Sequence, residues 1–344
     1  MERYVALDVP LKEISVCVID GKGAVTFEGK VTAEPDAFVS LIRKRAPQAA
    51  RVGLETGATS PWLYHALKKA DLPVVLMDAR HAKAALSMRP TKSDRSDARG
   101  LAEMLRMGWY RAVNAKSFTA HERMALLGAR RHLVGIRVEL DGQIRGLLKT
   151  FGLILGKGNT DALIRRAEAL AEGNPIIGSL VARLAGVRRL VVVQIATLDR
   201  DIRRLTRREP VLKRLMTVPG VGPVTALAFL STIDDPKRFK HARDVGPYLG
   251  LTPTRHQSGE VDRHGRISKC GDAFTRTCLY EAANVLLTKV QRFSPLKAWG
   301  TRLVQRIGAK KARVAVARKL AGILHCIWVD GTEFRWTREE VKMA

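Results

Sequence analysis

Between residues 3 and 107, short runs of β-branched and aliphatic residues alternate with longer runs in which small or apolar side chains return every three to four positions. Such alternation leaves few architectures: each strand must bury its apolar side chains against helices, which gives an α/β sheet. Three strands come first, Tyr4 to Asp8, Ile14 to Ile19 and Ala24 to Lys30, separated by the turn-prone Asp-Val-Pro and Asp-Gly-Lys-Gly, so the opening reads as a β-meander. A helix over 35–44, a strand over 51–55, a helix over 61–70, a strand over 73–77, a helix from near Ala79 and a last helix over 94–107 complete a domain placed at 1–112.

A second segment, 113–209, is helical. Over 117–151 and 178–208 Leu, Ile and Val recur at mixed three-and-four spacing with Arg, Lys and Glu between them, the pattern of two arms of a helical hairpin or coiled coil. Gly-Lys-Gly-Asn at 156–159 and Gly-Asn-Pro at 173–175 interrupt it and flank a short helix over 161–171. The third segment, 210–344, is mainly α-helical, broken by Val-Pro-Gly-Val-Gly-Pro at 218–223 and by a glycine-rich polar stretch at 252–272.

Charge separates these parts. The 344 residues carry a formal net charge of +27, but residues 1–110 hold 17 basic and 13 acidic side chains while 111–344 hold 43 and 20. An excess of that size is self-repelling without a polyanion, so nucleic acid is the expected partner of the second part. Cys17, Cys270, Cys278 and Cys326 form no CxxC pair and have no histidine at zinc-ligand spacing, which fits a reducing cytoplasm. The amino terminus has no signal-like pattern, and the most apolar stretch, 176–198, is interrupted by Arg183, Arg188 and Arg189, so no membrane insertion is expected.

Four acids in the first domain stand out by placement. Asp8 and Glu55 end strands, and Asp94 and Asp97 lie three apart on one helical face. Phosphodiester chemistry with two Mg²⁺ ions needs several hard oxygen ligands within roughly 4 Å of one another, and two strand ends plus one helix face can supply them. The same residues also suit a bland reading, with Asp94 as a cap, Asp97 as a first-turn acid and Asp8 opening a turn. Glu55 fits that reading least, because it ends an apolar strand and leads into Thr-Gly-Ala.

In the basic part, Gly220 and Gly222 could let backbone N–H groups approach a phosphate, as in a helix-hairpin-helix, or could simply form an interhelical turn. The polar stretch places Ser258 among Arg255, His256, Arg263, His264, Arg266 and Lys269. A flexible basic loop of this kind can seat a phosphate beside a nucleophile, or can be a solvated loop touching only the DNA backbone. Nothing fixes the geometry of the two histidines. Lys310 and Lys311 open a stretch, 310–319, whose cations form a basic helical face suited to sequence-blind backbone contact.

Taken in order, Leu-Asp-Val at 7–9, Leu-Glu-Thr-Gly at 54–57, Lys-Ser-Asp-Arg-Ser-Asp-Ala-Arg at 92–99, Val-Pro-Gly-Val-Gly at 218–222, Tyr-Leu-Gly-Leu-Thr-Pro at 248–253, Ser258-Gly259 and Arg-Ile-Ser-Lys-Cys-Gly-Asp at 266–272 resemble the DEDD transposases of the insertion-sequence family numbered one hundred and ten, which includes Piv-type DNA invertases. The resemblance spans nearly the whole chain. It implies a RuvC-like domain of RNase H fold, then a coiled coil, then a carboxy-terminal transposase domain. It further implies Asp8, Glu55, Asp94 and Asp97 as catalytic metal ligands for Mg²⁺ and Ser258 as the nucleophile, with Ser268 structural. The reaction implied is DNA recombination through a phosphoserine link on donor and target DNA, guided by a structured bridge RNA. A homodimer or homotetramer with composite active sites, working on the prokaryotic nucleoid, completes the expectation. Pro10 and Cys270 depart from the usual pattern without removing a ligand or the nucleophile. Two rivals remain: a hydrolytic junction resolvase using the carboxylates alone, and a non-catalytic nucleic-acid-binding protein.

Overall fold

The computed structural model describes residues 2–9, 13–87, 93–157 and 160–337; Pro10, Lys92, Gly158 and Asn159 lie outside them, as does the side chain of His264. The chain divides between Phe118 and Thr119 into two compact units.

The first unit holds strands β1 (Arg3–Asp8), β2 (Glu13–Asp20) and β3 (Val25–Thr32), helix α1 (Pro35–Arg45), β4 (Ala49–Glu55), α2 (Ser60–Lys69), β5 (Val74–Met77), α3 (Ala79–Leu86) and α4 (Asp94–Met107). Every strand and helix expected from the sequence is present, with ends moved by one or two residues. The sheet order is β3-β2-β1-β4-β5, with β2 antiparallel to both neighbours and β1, β4 and β5 mutually parallel. That topology is the RuvC-like RNase H fold.

Both faces of the sheet are covered, which is why its inner strands read as continuous apolar runs. Val5, Leu7, Val16, Val52 and Leu54 pack on α1 and α2 through Phe38, Ile42, Leu63 and Leu67. The opposite face, with Tyr4, Ala6, Cys17 and Ile19, packs on α4 through Ala98, Leu101, Ala102 and Leu105. Helix α4 begins where the Ser93 side chain accepts from Ser96 N–H and ends at Gly108, whose φ of 68° suits glycine.

The second unit opens with two long helices, α5 (Phe118–Thr150) and α7 (Pro175–Arg208), joined through α6 (Thr160–Ala171). They run antiparallel and are tied by three ion pairs, Arg123–Glu209, Arg130–Asp199 and Arg188–Asp141, whose members ascend one helix as they descend the other. The Arg188 side chain is 1% exposed and also lies 3.7 Å from Asp161 of α6. Next come α8 (Pro210–Leu215), α9 (Pro223–Ile233), α10 (Val245–Tyr248), strands β6 (Pro253–Ser258) and β7 (Val261–Ile267), α11 (Ala273–Thr288), α12 (Pro295–Ile307) and α13 (Ala309–Asp330). Every residue of α9 from Ala226 to Ile233 is buried, so it is the central helix of a core built with α11 and α13. Leu127 and Ile202 of the long helices join this same core.

Candidate active site

Asp8 is the last residue of β1 and Glu55 the last of β4. These strands are parallel neighbours, in register through Leu7 and Leu54, so both carboxyls leave the same end of the sheet. The pleat decides the face. Tyr4 and Ala6 point towards α4 and Val5 and Leu7 away from it, which puts Asp8 on the α4 side. On β4, Val52 and Leu54 face away from α4, and an added Cβ on Gly53 would lie 2.4 Å from Leu105 Cδ1, so Glu55 shares the α4 side.

Asp97 reaches this corner from the first turn of α4. The Glu55 pKa is pushed up to about 6, first by burial and then by the Asp8 and Asp97 carboxylates. Asp94, one turn earlier, is exposed and is not among those groups. The structure thus draws Asp8, Glu55 and Asp97 together and leaves Asp94 at the solvent edge. Among the described residues no three acids, histidines or cysteines stand close enough to hold an ion as they lie. The donor set nonetheless fits a hard divalent cation, since the Asp8 and Asp97 carboxylates both raise the Glu55 pKa and all three side chains offer hard oxygen ligands.

The corner is held by contacts that sequence reading did not find. Arg95 and Arg99 of α4 both pair with Glu28 on β3, at 2.6 Å for Arg95 Nε and 2.8 Å for Arg99 Nη2. The Arg99 hydrogen bond is the main reason the Glu28 carboxyl lies below the ordinary glutamate range. At the far end of α4, Arg51 Nη1 donates to Leu105 O at 3.1 Å. The loop after Glu55 is fixed as well: Thr56 N–H donates to Met77 O at 2.9 Å and Ala79 N–H to Thr56 Oγ1 at 3.0 Å. The four-residue spacing of the two arginines was the available signal; their partner, 67 and 71 residues away, was not.

In the second unit the segment expected as a flexible loop is an antiparallel hairpin. Ser258 pairs with Val261 across the two-residue turn Gly259-Glu260, and Gly259 has φ of 55°. Ser258 is exposed at the tip. Alternation was invisible because both faces are polar, with Thr254 the one residue of β6 not fully exposed. Arg255 is engaged across the ribbon by Asp262 through two hydrogen bonds of 2.8 Å, whereas Arg263 is exposed. Ser268 N–H donates to Thr252 O at 2.9 Å at the base of the ribbon.

Arg266, Lys269, Lys310 and Lys311 line one wide groove in this unit. Gly220 and Gly222 differ. Gly220, at φ of 88°, packs so tightly on α11 that a Cβ would fall 2.3 Å from Ala282 O, a packing reason for glycine. Gly222 caps α9 with open space where a Cβ would stand.

Residues 5–152 match the DEDD transposase model of the IS110 group, and residues 212–297 match the model described as "Transposase IS116/IS110/IS902 family". A putative transposase of Sinorhizobium fredii is 34% identical over 71% of this chain, which spans 64% of that relative's length. The transposase for insertion sequence element IS1111A of Coxiella burnetii is 27% identical over 97% of this chain and 91% of its own. A probable family 20 transposase of Pseudomonas aeruginosa is 32% identical over 71% and 74% respectively. The solved structure of Thermus thermophilus RuvC is similar over 32% of this chain and 99% of its own, with a TM-score of 0.25 and 17% identity. No helix of the described residues is long and apolar enough to cross a membrane. With models matched in both units and a relative at 32% identity over most of its own length, the chain belongs to the IS110 family of DEDD transposases.

Proposed function

We propose that this chain cuts and rejoins DNA at an insertion sequence by attack of the Ser258 hydroxyl on a phosphodiester. The observation that carries the reading is the corner where the Asp8 and Asp97 carboxylates act on the partly buried Glu55. In the attack a bond forms between Ser258 Oγ and phosphorus, a phosphorus–oxygen bond of the strand breaks, and the strand leaves as a hydroxyl while the serine proton is given up. Rejoining reverses this: a strand hydroxyl displaces Oγ, which regains a proton.

Asp8, Glu55 and Asp97, with Asp94 at the edge, would hold a divalent ion, and Mg²⁺ is the expected one. When bound, that ion neutralises charge on the phosphate and favours loss of the hydroxyl proton. Glu55, near 6, changes protonation close to neutrality, so it can take or return a proton as well as serve as ligand. Arg95 and Arg99, held by Glu28, fix α4 and with it Asp97. Arg263, Arg266, Lys269, Lys310 and Lys311, and the cap at Gly222, would bind phosphates; Arg255 stiffens the ribbon through Asp262 and meets DNA with its remaining donors.

The acting form in this reading is a homodimer or homotetramer on the prokaryotic nucleoid, assembled through the α5 and α7 arms. A structured guide RNA is the second nucleic acid, for which the basic excess of residues 111–344 leaves ample charge. The test is covalent trapping: protein, Mg²⁺, element RNA and labelled junction DNA are incubated and denatured. A protease-sensitive protein–DNA adduct is expected, absent in both Ser258→Ala and Asp97→Ala. Strand cleavage without adduct, unchanged in Ser258→Ala, would assign a hydrolytic nuclease instead.

A further inference from the structure

The groove of the second unit has a volume of about 1840 Å³, well above the roughly 300–1000 Å³ of small-ligand pockets, which leaves room for a polymer segment. Its composition is split. Arg266 and Lys269 line it from the hairpin side, and Lys310, Lys311, Arg318 and Lys319 from α13. None of these six has an ion pair among the described residues, where Arg255, Arg130 and Arg188 all do. Between them lie Leu296, Trp299, Val314, Ile323 and Phe334, an apolar floor with two aromatic rings.

A cationic rim calls for phosphates, but an apolar aromatic floor does not suit the outside of a duplex, whose bases are stacked away and whose surface is phosphate and sugar. Both demands are met by a strand with unpaired bases, phosphates on the rim and bases on the rings. The wall of the groove includes Pro253, Gly265 and Ile267, the base of the ribbon whose tip is Ser258. Five residue steps lead from Pro253 to Ser258, a reach of about 17 Å at ~3.3 Å per step. An occupant of the groove therefore lies a few nucleotides from the serine.

We infer that this groove holds a single DNA strand with its bases unpaired, seated on Trp299 and Phe334 beneath the lysine and arginine rim, flanking the phosphate that Ser258 attacks. This rests on the proposed role of Ser258 for its meaning, but its test does not. Binding of a labelled oligothymidylate, the equivalent oligouridylate and a DNA duplex of the same length is measured by fluorescence anisotropy with the full chain, in the absence of cleavage.

Wild-type protein is expected to prefer the DNA single strand. Trp299→Ala should weaken that binding about tenfold and leave the duplex unchanged. Lys310→Ala with Lys311→Ala changes only exposed side chains, keeps the fold, and should lower the salt slope for the single strand by about 1.4. Equal loss for single strand and duplex in Trp299→Ala, or an unchanged salt slope in the lysine variant, overturns the inference. Binding confined to oligouridylate reassigns the groove to RNA, and a changed oligomeric state in Trp299→Ala reassigns it to a second copy of the chain. An absent adduct in the trapping experiment leaves all of these results untouched.

Discussion

Glu55 holds its proton more tightly in the folded chain than in the unfolded one, because burial and two neighbouring carboxylates penalise its charge. A carboxyl with a raised folded-state pKa stabilises the fold while it is protonated, and that contribution is lost as pH rises through about 6. In cation-free protein, Glu55→Gln should therefore melt higher than wild type at pH 8, by about 1 kcal/mol in stability once solvent screening of the half-buried carboxyl is allowed for, and match it below the ordinary glutamate pKa. Adding a divalent ion should raise the wild-type melting temperature and leave that of the variant nearly fixed. Melting curves at the two pH values with and without the ion check this, and equal stability at pH 8 would count against the strained corner. The acids at strand ends were legible because a charge that closes an apolar run has few structural excuses. Glu28 was not legible: on an exposed-edge strand it looks like any surface acid until the fold brings Arg95 and Arg99 to it.

At the scale of elements, α4 decides the geometry of the corner, and Gly53 decides how closely α4 lies on the sheet. Leu105 Cδ1, Cδ2 and Cγ would all fall within 2.9 Å of a Cβ at position 53, and Leu105 is fully buried. Gly53→Val should then push α4 away from β4, costing about 1–3 kcal/mol. Because Asp97 moves with the helix, the stabilisation by divalent ions seen in thermal melts should fall as well; a variant that loses stability but keeps the full ion response would show that α4 does not position Asp97. Elements with one dominant period were legible, from the five strands of the first unit to the long helices. The β6–β7 ribbon was not, since a strand exposed on both faces has no apolar alternation to read. The pairing of α5 with α7 was foreshadowed by spacing, whereas its register rests on Arg–carboxylate partners 47 to 86 residues apart.

Across the whole molecule, the acids proposed for chemistry and the cations proposed for binding belong to different compact units. Chelation should consequently abolish cleavage while leaving DNA retention on a filter within about twofold, because phosphate contacts by lysine and arginine need no divalent ion. Loss of both together would tie binding to the carboxylate corner. The distribution of charge was legible from residue counts alone, but the groove was not, since its walls come from β7, α12, α13 and the segment after Asp330. The ribbon carries one more consequence. Two strands with no buried face are only marginally stable by themselves, so the seat of Ser258 is defined by whatever the ribbon lies against. If Ser258 attacks as proposed, it would take up its final position only where bound DNA supplies the surface that the ribbon itself lacks.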